Sequence, residues 1–506
     1  MKHNLIIAFL LINISAFSQQ SIPGEDFFGI NQVIRVDFTF NQNNFWDSLV
    51  TNYQNDEYMM AIGLTITDNL GVHEKDSIAI KLKGNSSYGH PGTKKSFKID
   101  INKYNKGSDY DGLKMLNFNN CFKDPTFMRE KIFFDLCKSL GIPAPRVNYA
   151  NVYMNGEFWG FYNVVEQVDD QFLDYGILDD NGNLFKAGDN SNGNLPADLK
   201  YYGANSTDYD GRYELKTNED INDWSDLISL ISWINNSSDE DFSSQFSTHM
   251  NKQKFLQSMA LDNLFANLDA YINSARNYYI YHNSTTNLWE WIKWDGNESF
   301  GQYTGGPDTG NLIQLAPNYV ATSRPLLQRV MSVSSVYQDY LNEYCSIKNN
   351  FFTSTYMNPR IDEIKNLIQS HVEADNKKMY TFQNFLDNIE QNVTVSGGPG
   401  GNQTVFGLKS FIQERNTYLQ SVSCQAGIDE ELLSQKIYPN TFENRVNIPI
   451  QFKLNSITDI HGKNINFNEF DKTENERTIE LEVTSGIYFF TFEYQNNTFT
   501  HRLVKP

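Results

Sequence analysis

The 506-residue chain is short of positive charge: 41 lysines and arginines face 61 aspartates and glutamates, for a formal net charge of −20. Binding to a phosphate backbone needs a clustered basic surface, so this balance argues against a nucleic-acid protein. Histidine is scarce, at eight residues, and no two of them stand at i,i+4. Neither HExxH nor GxSxG occurs, which removes the motifs of zinc peptidases and of nucleophile-elbow hydrolases. Long apolar runs are missing after the first twenty residues, whereas a bilayer-spanning helix needs about 20. What the chain does have is apolar material: 40% hydrophobic and 14% aromatic residues. That is enough for a large core and excludes wholesale disorder. At about 150 residues per domain, two or three domains are expected.

The first residues set the compartment. Met1-Lys2-His3 is a short basic start, Leu5 to Ile12 is apolar, and Ala16-Phe17-Ser18 places small residues at −3 and −1 of a cut after Ser18. Residues 1–18 therefore read as a secretory signal peptide. The four cysteines, Cys121, Cys137, Cys345 and Cys424, permit two disulfides with three possible pairings in an exported chain, or buried free thiols. Their spacings match no common zinc pattern.

Three segments follow. From about residue 27 to 175 the chain reads as strands with one helix. Ser77–Lys83 and Lys95–Ile101 alternate at period two around the polar loop Gly84–Thr93. Asp124-Pro125 offers a cap and a first-turn proline for a helix running to Leu140, before Gly141 and Pro143. Strands at Val147–Met154 and Phe158–Glu166 flank the turn signal Asn155-Gly156. From about 221 to 423, helical spacing is expected over Trp224–Ile234, Lys252–Ala270, Tyr319–Tyr344, Tyr356–Lys378 and Val405–Val422. A hairpin, Asn277–Tyr281 with Leu288–Trp294, interrupts them, and Gly301–Gly310 and Ser396–Asn402 read as glycine-rich loops. After a linker at 424–434, the short apolar runs of 435–506 indicate a small antiparallel β-sandwich. The fold class expected is α+β.

The most suggestive chemistry lies between Leu261 and Gly301. An acid near a helix end (Asp269), an amide (Asn277), a short hairpin and an acid at its exit (Asp295) follow the logic of protein-kinase catalytic regions. There one Asp serves the acceptor hydroxyl while an Asn and a second Asp hold Mg²⁺ between phosphates. Magnesium takes hard oxygen donors and few from the protein, so Asp295 with Asn277 and nucleotide oxygens would suffice. The loop Gly84–Thr93 leads into a strand carrying Lys94, Lys95 and Lys98, candidates for touching phosphates, with Glu130 or Glu166 as partners. The pairs Asp169-Asp170 and Asp179-Asp180 read as turn residues rather than a glycosidase pair.

These residues sit within a longer ordered set. Lys83-Gly84-Asn85-Ser86-Ser87, Lys94–Ile99, Met128-Arg129-Glu130, Gly141–Pro145, Val152–Tyr162 with Glu166–Asp169, Asn183–Lys186 and Tyr213–Lys216 come in order. Asn267-Leu268-Asp269, Asn277-Tyr278-Tyr279, Trp294–Gly301, Arg324-Pro325-Leu326 and Phe411–Arg415 complete it. Over about residues 27–423 the chain resembles the CotH kinase family, the spore coat protein H-like proteins. The resemblance implies a diverged, two-lobed protein-kinase-like fold. It would transfer phosphate from ATP, with Mg or Mn, to Ser or Thr of secreted or surface proteins. Carried over by position, Asp269 is the catalytic residue. Asp295, Asn277 and Asn297 are the metal set, and Lys95, Lys98 and Glu166 lie on the cofactor side. Asn297 stands where a second acid is usual, and Lys83 where an Arg is usual. A catalytically inactive member acting as a surface adhesin or ligand-binding protein is the alternative.

The tail resembles a different family, the C-terminal sorting domain of type IX secretion in the Bacteroidetes. Tyr438-Pro439-Asn440 opens it, Asp459–Lys463 sits in its middle, and Gly486-Ile487-Tyr488 precedes a closing strand ending at Lys505, with Thr441 where a proline is usual. The implied partner is the type IX machinery. The implied route runs through the periplasm to a secreted or surface location.

Overall fold

Period-two alternation dominates the front of the chain, and there it closes on itself. In the computed structural model, which describes residues 22–188, 195–303, 311–398, 401–422, 424, 442–450, 452–459, 463–473, 476–494 and 497–506, seven strands form a closed barrel. They are β1 (Val33–Thr39), β2 (Met59–Thr67), β3 (Val72–Leu82), β4 (Phe97–Asp100), β5 (Met115–Asn119), β6 (Val147–Met154) and β7 (Glu157–Glu166), in the order β1-β2-β3-β4-β5-β7-β6. All neighbours are antiparallel except β1 and β6, which run parallel from Val33↔Tyr149 to Phe38↔Met154. Inward positions are apolar, among them Ile34, Val36, Ile80, Leu82, Phe97, Ile99, Phe118 and Val164. The opposite face of β3, β4 and β5 is polar: Lys81 lies across from Lys98, and Lys98 across from Asn117. Asn155 and Gly156 both take positive φ, 47° and 81°, the two-residue turn that joins β6 to β7 as their sequence expects.

The helix after β5 begins later than its cap signal suggests. It spans Arg129–Ser139, because Phe127 turns left-handed at φ 61° and breaks any helix begun at Pro125. Asp124 instead accepts from the backbone N–H of Arg129 (2.9 Å) and pairs with its buried guanidinium (2.5 Å). The expected helix over Lys252–Ala270 stops at Leu264, where Ala266 takes φ 45°. The expected helix over Tyr319–Tyr344 is two, Pro325–Ser332 and Ser334–Asn350. Helices Ser225–Asn236, Ser354–Ala374 and Leu408–Leu419 match expected spans to within a few residues, while Asp239–His249 and Phe382–Glu390 were not anticipated. The stretch Ser396–Asn402, read as a loop, takes part in a hairpin pairing Val393–Gly398 with Gly401–Val405. The other, at 301–310, is described only to residue 303.

A second sheet lies within the helical region: β8 (Asn183–Ala187), β9 (Tyr213–Leu215), β10 (Tyr278–His282) and β11 (Trp289–Lys293), ordered β11-β10-β8-β9. One large core joins Phe185, Ile280 and Trp291 of this sheet to Phe133, Met259, Leu264, Leu326, Tyr340 and Phe411, while Leu184, Tyr279 and Ile292 pack in a smaller cluster with Phe172 and Leu173. Strands gathered at the front and helices at the back fit the α+β class. Arg415, fully buried, donates to the carbonyls of Asn263, Leu264, Ile313 and Leu315. In this way one charged side chain satisfies backbone acceptors left open where the helix Lys252–Leu264 ends.

Of the pairings left open by the cysteines, the fold forms Cys345–Cys424, 79 residues apart, and leaves Cys121 and Cys137 as buried free thiols. Closing a loop of this length constrains the unfolded chain by about 4.5 kcal/mol in the chain-entropy account. Cys345→Ser is therefore expected to lower the melting temperature of the oxidised protein to that of the reduced wild type, measured by calorimetry with and without reductant.

The last residues form a separate compact unit, with the division between Cys424 and Gln425. Strands Arg445–Pro449, Asn468–Lys472 and Glu476–Glu480 make one antiparallel sheet, and Lys453–Asp459, Gly486–Tyr494 and Asn497–Lys505 a second. Val446, Ile448, Ile457, Ile479, Phe490 and Leu503 share its core. Asp459 accepts from the backbone N–H of Lys463 (3.0 Å). The signal-peptide residues 1–18, the linker residues 425–434 and the Tyr438-Pro439-Asn440 motif lie outside the described residues.

Candidate active site

Past Leu264 the chain leaves helical geometry and turns irregularly, with Ala266, Ala275 and Asn277 all at positive φ. The turn holds Asp269. Its backbone carbonyl and its carboxylate Oδ2 both accept from the Asn277 side-chain amide, at 2.8 and 3.0 Å. Burial pushes the Asp269 carboxyl up, while a Ser274 hydrogen bond and the charges of Arg276 and Lys123 oppose it. From Asn277 the chain enters β10, returns along β11 and reaches Asp295, itself left-handed at φ 53°. The Asp295 carboxyl is pushed up to about 6, first by burial and then by the charge of Asp269, against the pull of Lys83 and Lys186. The hairpin thus brings the two acids, 26 positions apart in sequence, within each other's field.

Two further charged groups join them from the front of the chain. Lys83 follows β3 and donates to Asn117 Oδ1 at 3.1 Å. Burial pulls its ammonium down to about 8, against Glu130 and Asp295. Glu130, in the first turn of the helix Arg129–Ser139, is 2% exposed and accepts from Asn119 Nδ2 at 2.9 Å. Its carboxyl is pushed up to about 8 by burial and by Asp295. Glu298 pairs with Lys123 at 2.9 Å, and burial together with Asp269 and Asp295 carries it up to about 7. Five carboxyl and ammonium groups from four segments therefore share one low-dielectric place, Asp269, Asp295, Glu130, Glu298 and Lys83, with acids in excess.

Gly296 lets the Asp295 segment come this close to the Glu130 helix. A Cβ there would lie 2.7 Å from the Phe133 ring and 3.3 Å from Phe134. Gly296→Ala is expected to destabilise the fold by about 1–3 kcal/mol, the usual effect of overpacking, as read from the denaturant midpoint.

The other sequence candidates are placed as follows. Lys98 stands on the outer face of β4 beside Lys81 and Asn117. Lys95 donates to the carbonyls of Tyr88 (2.7 Å) and His90 and so holds the loop Gly84–Thr93 from within. Tyr53, stacked on Tyr88 and bonded to the Gly84 carbonyl at 2.7 Å, holds it from outside. Lys94 is buried in an ion pair with Asp375 at 2.7 Å. Glu166 accepts from Arg146 (2.5 and 3.0 Å) and Tyr175 (2.5 Å), and none of its described contacts is to Lys95 or Lys98. Asn297 gives its backbone N–H to Asp295. Asp169 caps the helix Asp170–Gly176, and Asp179 accepts from Tyr281 and Ser284, both in the turn roles their sequence suggests. Sequence reasoning did not assign site roles to Lys83, Lys186, Lys123 or Glu298. Lys83 carried a signal, since it shares the outward side of a period-two strand with Lys81.

Among the described residues, no three His, Cys, Asp or Glu side chains are grouped closely enough to hold a metal ion by themselves. The residues present fit a hard divalent ion shared with a ligand: Asp295 offers carboxylate oxygens, and a cation there would relieve its repulsion with the Asp269 charge. Asn277 can add only its Oδ1, because its amide nitrogen is engaged by Asp269.

Comparison with known proteins finds two family models along the chain: CotH kinase protein over residues 80–419, and Secretion system C-terminal sorting domain over residues 436–506. Inner spore coat protein H of Bacillus subtilis is 28% identical over 294 residues, 58% of this chain and 77% of that protein. Invasin CotH2 and Invasin CotH3 of Rhizopus delemar are 21% and 22% identical, over 70% and 63% of this chain. The matches span 61% and 54% of the two invasins.

Proposed function

The chain belongs to the CotH kinase protein family, and from that premise we propose that it is an atypical protein kinase, moving the terminal phosphate of ATP to a protein serine or threonine. The sorting domain makes it an exported protein, secreted or at the cell surface and served by the type IX machinery. The observation that carries the enzymatic reading is the electrostatic coupling of Asp269, Asp295, Glu130 and Lys83 in one place. On this reading the barrel and the helical region are the two lobes of a diverged kinase-like fold.

Asp269 orients the acceptor hydroxyl and takes its proton as the oxygen bonds to the terminal phosphorus and the bond to ADP breaks. Its raised carboxyl is the better base for this, and Asn277 fixes its direction. Lys83 and Lys98 face the phosphates. Asp295 with Asn277 Oδ1 and Asn297 would hold Mg or Mn, whose chemistry here is neutralisation of phosphate charge. Lys95, engaged with its own loop, acts by shaping the cover over the phosphates. The test is incubation of the full chain with ATP and Mg²⁺ or Mn²⁺, with phosphate on its own or an added protein's Ser/Thr mapped by mass spectrometry. Metal-dependent incorporation supports the proposal, and its absence from folded protein overturns it.

The likeness to two proteins named invasins supports a second reading, an adhesin or ligand-binding protein whose charged site is silent. Attachment to a surface ligand that persists in Asp269→Ala protein, with no nucleotide binding by the wild type, favours it.

A further inference from the structure

Two charged side chains that the proposed chemistry does not use are buried between the segments bearing Asp269 and Asp295. Lys293, the last residue of β11, stands two positions before Asp295. Asp262 lies in the last turn of the helix Lys252–Leu264, which leads into the turn holding Asp269. Both are buried, and the Lys293 ammonium pairs with Asp262 Oδ2. The other carboxylate oxygen, Oδ1, accepts from the side-chain amide of Asn267 at 2.9 Å, and the Asp262 carbonyl accepts from the Asn267 backbone N–H at 2.8 Å. Asn267, also buried, stands two positions before Asp269. One carboxylate thus joins the approach to Asp295 to the approach to Asp269. The Lys293 ammonium lies 5.5 Å over the ring of Phe133, the ring that a side chain at Gly296 would strike. After Asp295 the two segments meet again: the Gly301 N–H donates to the Phe265 carbonyl at 3.1 Å, and the rings of Phe265 and Phe300 pack edge to face at 4.9 Å.

We infer that Asp262 and Lys293 are positioning residues: with Asn267 they form a buried clamp that fixes Asp269 and Asp295 relative to each other. This rests on the proposed phosphate-transfer site and adds to it the pair that sets its geometry. A buried ion pair is a poor stabiliser, because desolvating two charges offsets most of their attraction, and an uncharged pair of similar volume often holds a fold as well. What the uncharged pair lacks is direction. The Asp262 carboxylate accepts from β11 at one oxygen and from the turn at the other, so a slip of either segment breaks a hydrogen bond to a charged group. The turn needs such a tie. Ala266, Ala275 and Asn277 are left-handed in it, and no helical or strand ladder runs through Asp269 to set its aim.

The test compares the wild-type full chain with a double variant, Asp262→Asn together with Lys293→Met, which removes both charges at nearly constant volume and leaves Asn267 an acceptor. Its melting temperature should stay near that of wild type. Amide hydrogen exchange of the ligand-free proteins, read by mass spectrometry, should show lost protection in peptides covering 265–277 and 294–301, with the barrel peptides unchanged. In the phosphate-transfer assay with Mn²⁺ and ATP, kcat should fall about 10–100-fold, the scale of a small misplacement of reacting groups, while KM for ATP changes little. Lys293→Arg, which keeps a cation for Asp262, should retain wild-type protection and most of the rate. A double variant that melts far below wild type makes the pair a structural element and overturns the positioning role. Unchanged exchange in a folded double variant overturns the clamp, whether or not the wild type transfers phosphate. Lost protection with an undiminished kcat also overturns the positioning role. If folded wild type transfers no phosphate, the kinase reading falls while the exchange result still decides the clamp.

Discussion

Asp269→Ala protein is expected to transfer phosphate ~10²–10⁴-fold more slowly than wild type, the range associated with loss of a positioned acid–base group. Nucleotide affinity should change little, because this carboxylate faces the acceptor hydroxyl rather than the phosphates. The fold should also survive. The carboxyl is raised by burial, so removing it takes away a desolvated charge. What it leaves is an Asn277 amide that keeps its hydrogen bond to the backbone carbonyl of residue 269. A single-turnover assay with a nucleotide-binding measurement beside it separates the two effects. A parallel loss of nucleotide affinity would mean that Asp269 belongs to the cation set instead.

Asp295→Asn is expected to act in the opposite sense on stability and binding. It should abolish metal-dependent ATP affinity by roughly 10²-fold or more, the scale of losing a cation worth several kcal/mol, and should raise the melting temperature of the ligand-free protein. The second effect follows from linkage. Burial and neighbouring acids push the Asp295 carboxyl up to about 6 and the Glu130 carboxyl up to about 8, above the ordinary carboxylate range. The native state therefore holds more protons than the unfolded one between about pH 4 and 8, and stability falls as pH rises through that window. Lys83, pulled down to about 8, has the converse effect. Its buried charge is a burden below pH 8 and is released above it, so stability recovers toward pH 10. Unfolding midpoints across pH 5–9 should show the first decline in wild type and a shallower one in Asp295→Asn. Saturating Mn²⁺ with ATP should flatten the wild-type curve as well. An unchanged slope in the variant would mean that Asp295 is not part of the coupled set.

The local elements of this fold could be read directly from its residues, and the long-range ones could not. Ser77–Lys83 and Phe97–Asp100 alternate, and Asn155-Gly156 can adopt two consecutive positive φ values; each of these choices is made within a few residues. The same holds for the hairpin between Asn277 and Asp295, whose strands pair from Tyr278↔Lys293 to His282↔Trp289. The start of the Arg129–Ser139 helix was missed because a buried Arg129–Asp124 pair and a left-handed Phe127 override a good capping sequence. Glu166 looks available in sequence, yet Arg146, twenty residues earlier, claims it once β6 and β7 pair. Lys95 looks like a phosphate ligand until the loop before it folds back and presents two carbonyls. Lys83 and Glu130 meet Asp295 only through tertiary packing against Phe133 at Gly296, a contact with no trace in spacing. The disulfide follows the same rule: nothing near Cys345 singles out Cys424, 79 positions on.

The most direct test is whether this coupled charge set is a nucleotide site at all. Calorimetric titration of ATP into the full-length folded chain, with Mn²⁺ or Mg²⁺ and then with EDTA, reads it without assuming an acceptor. Saturable one-site binding that requires the cation and disappears in Asp295→Asn is the expected result. No heat of binding with either ion, from protein whose melting curve shows an intact fold, would contradict it.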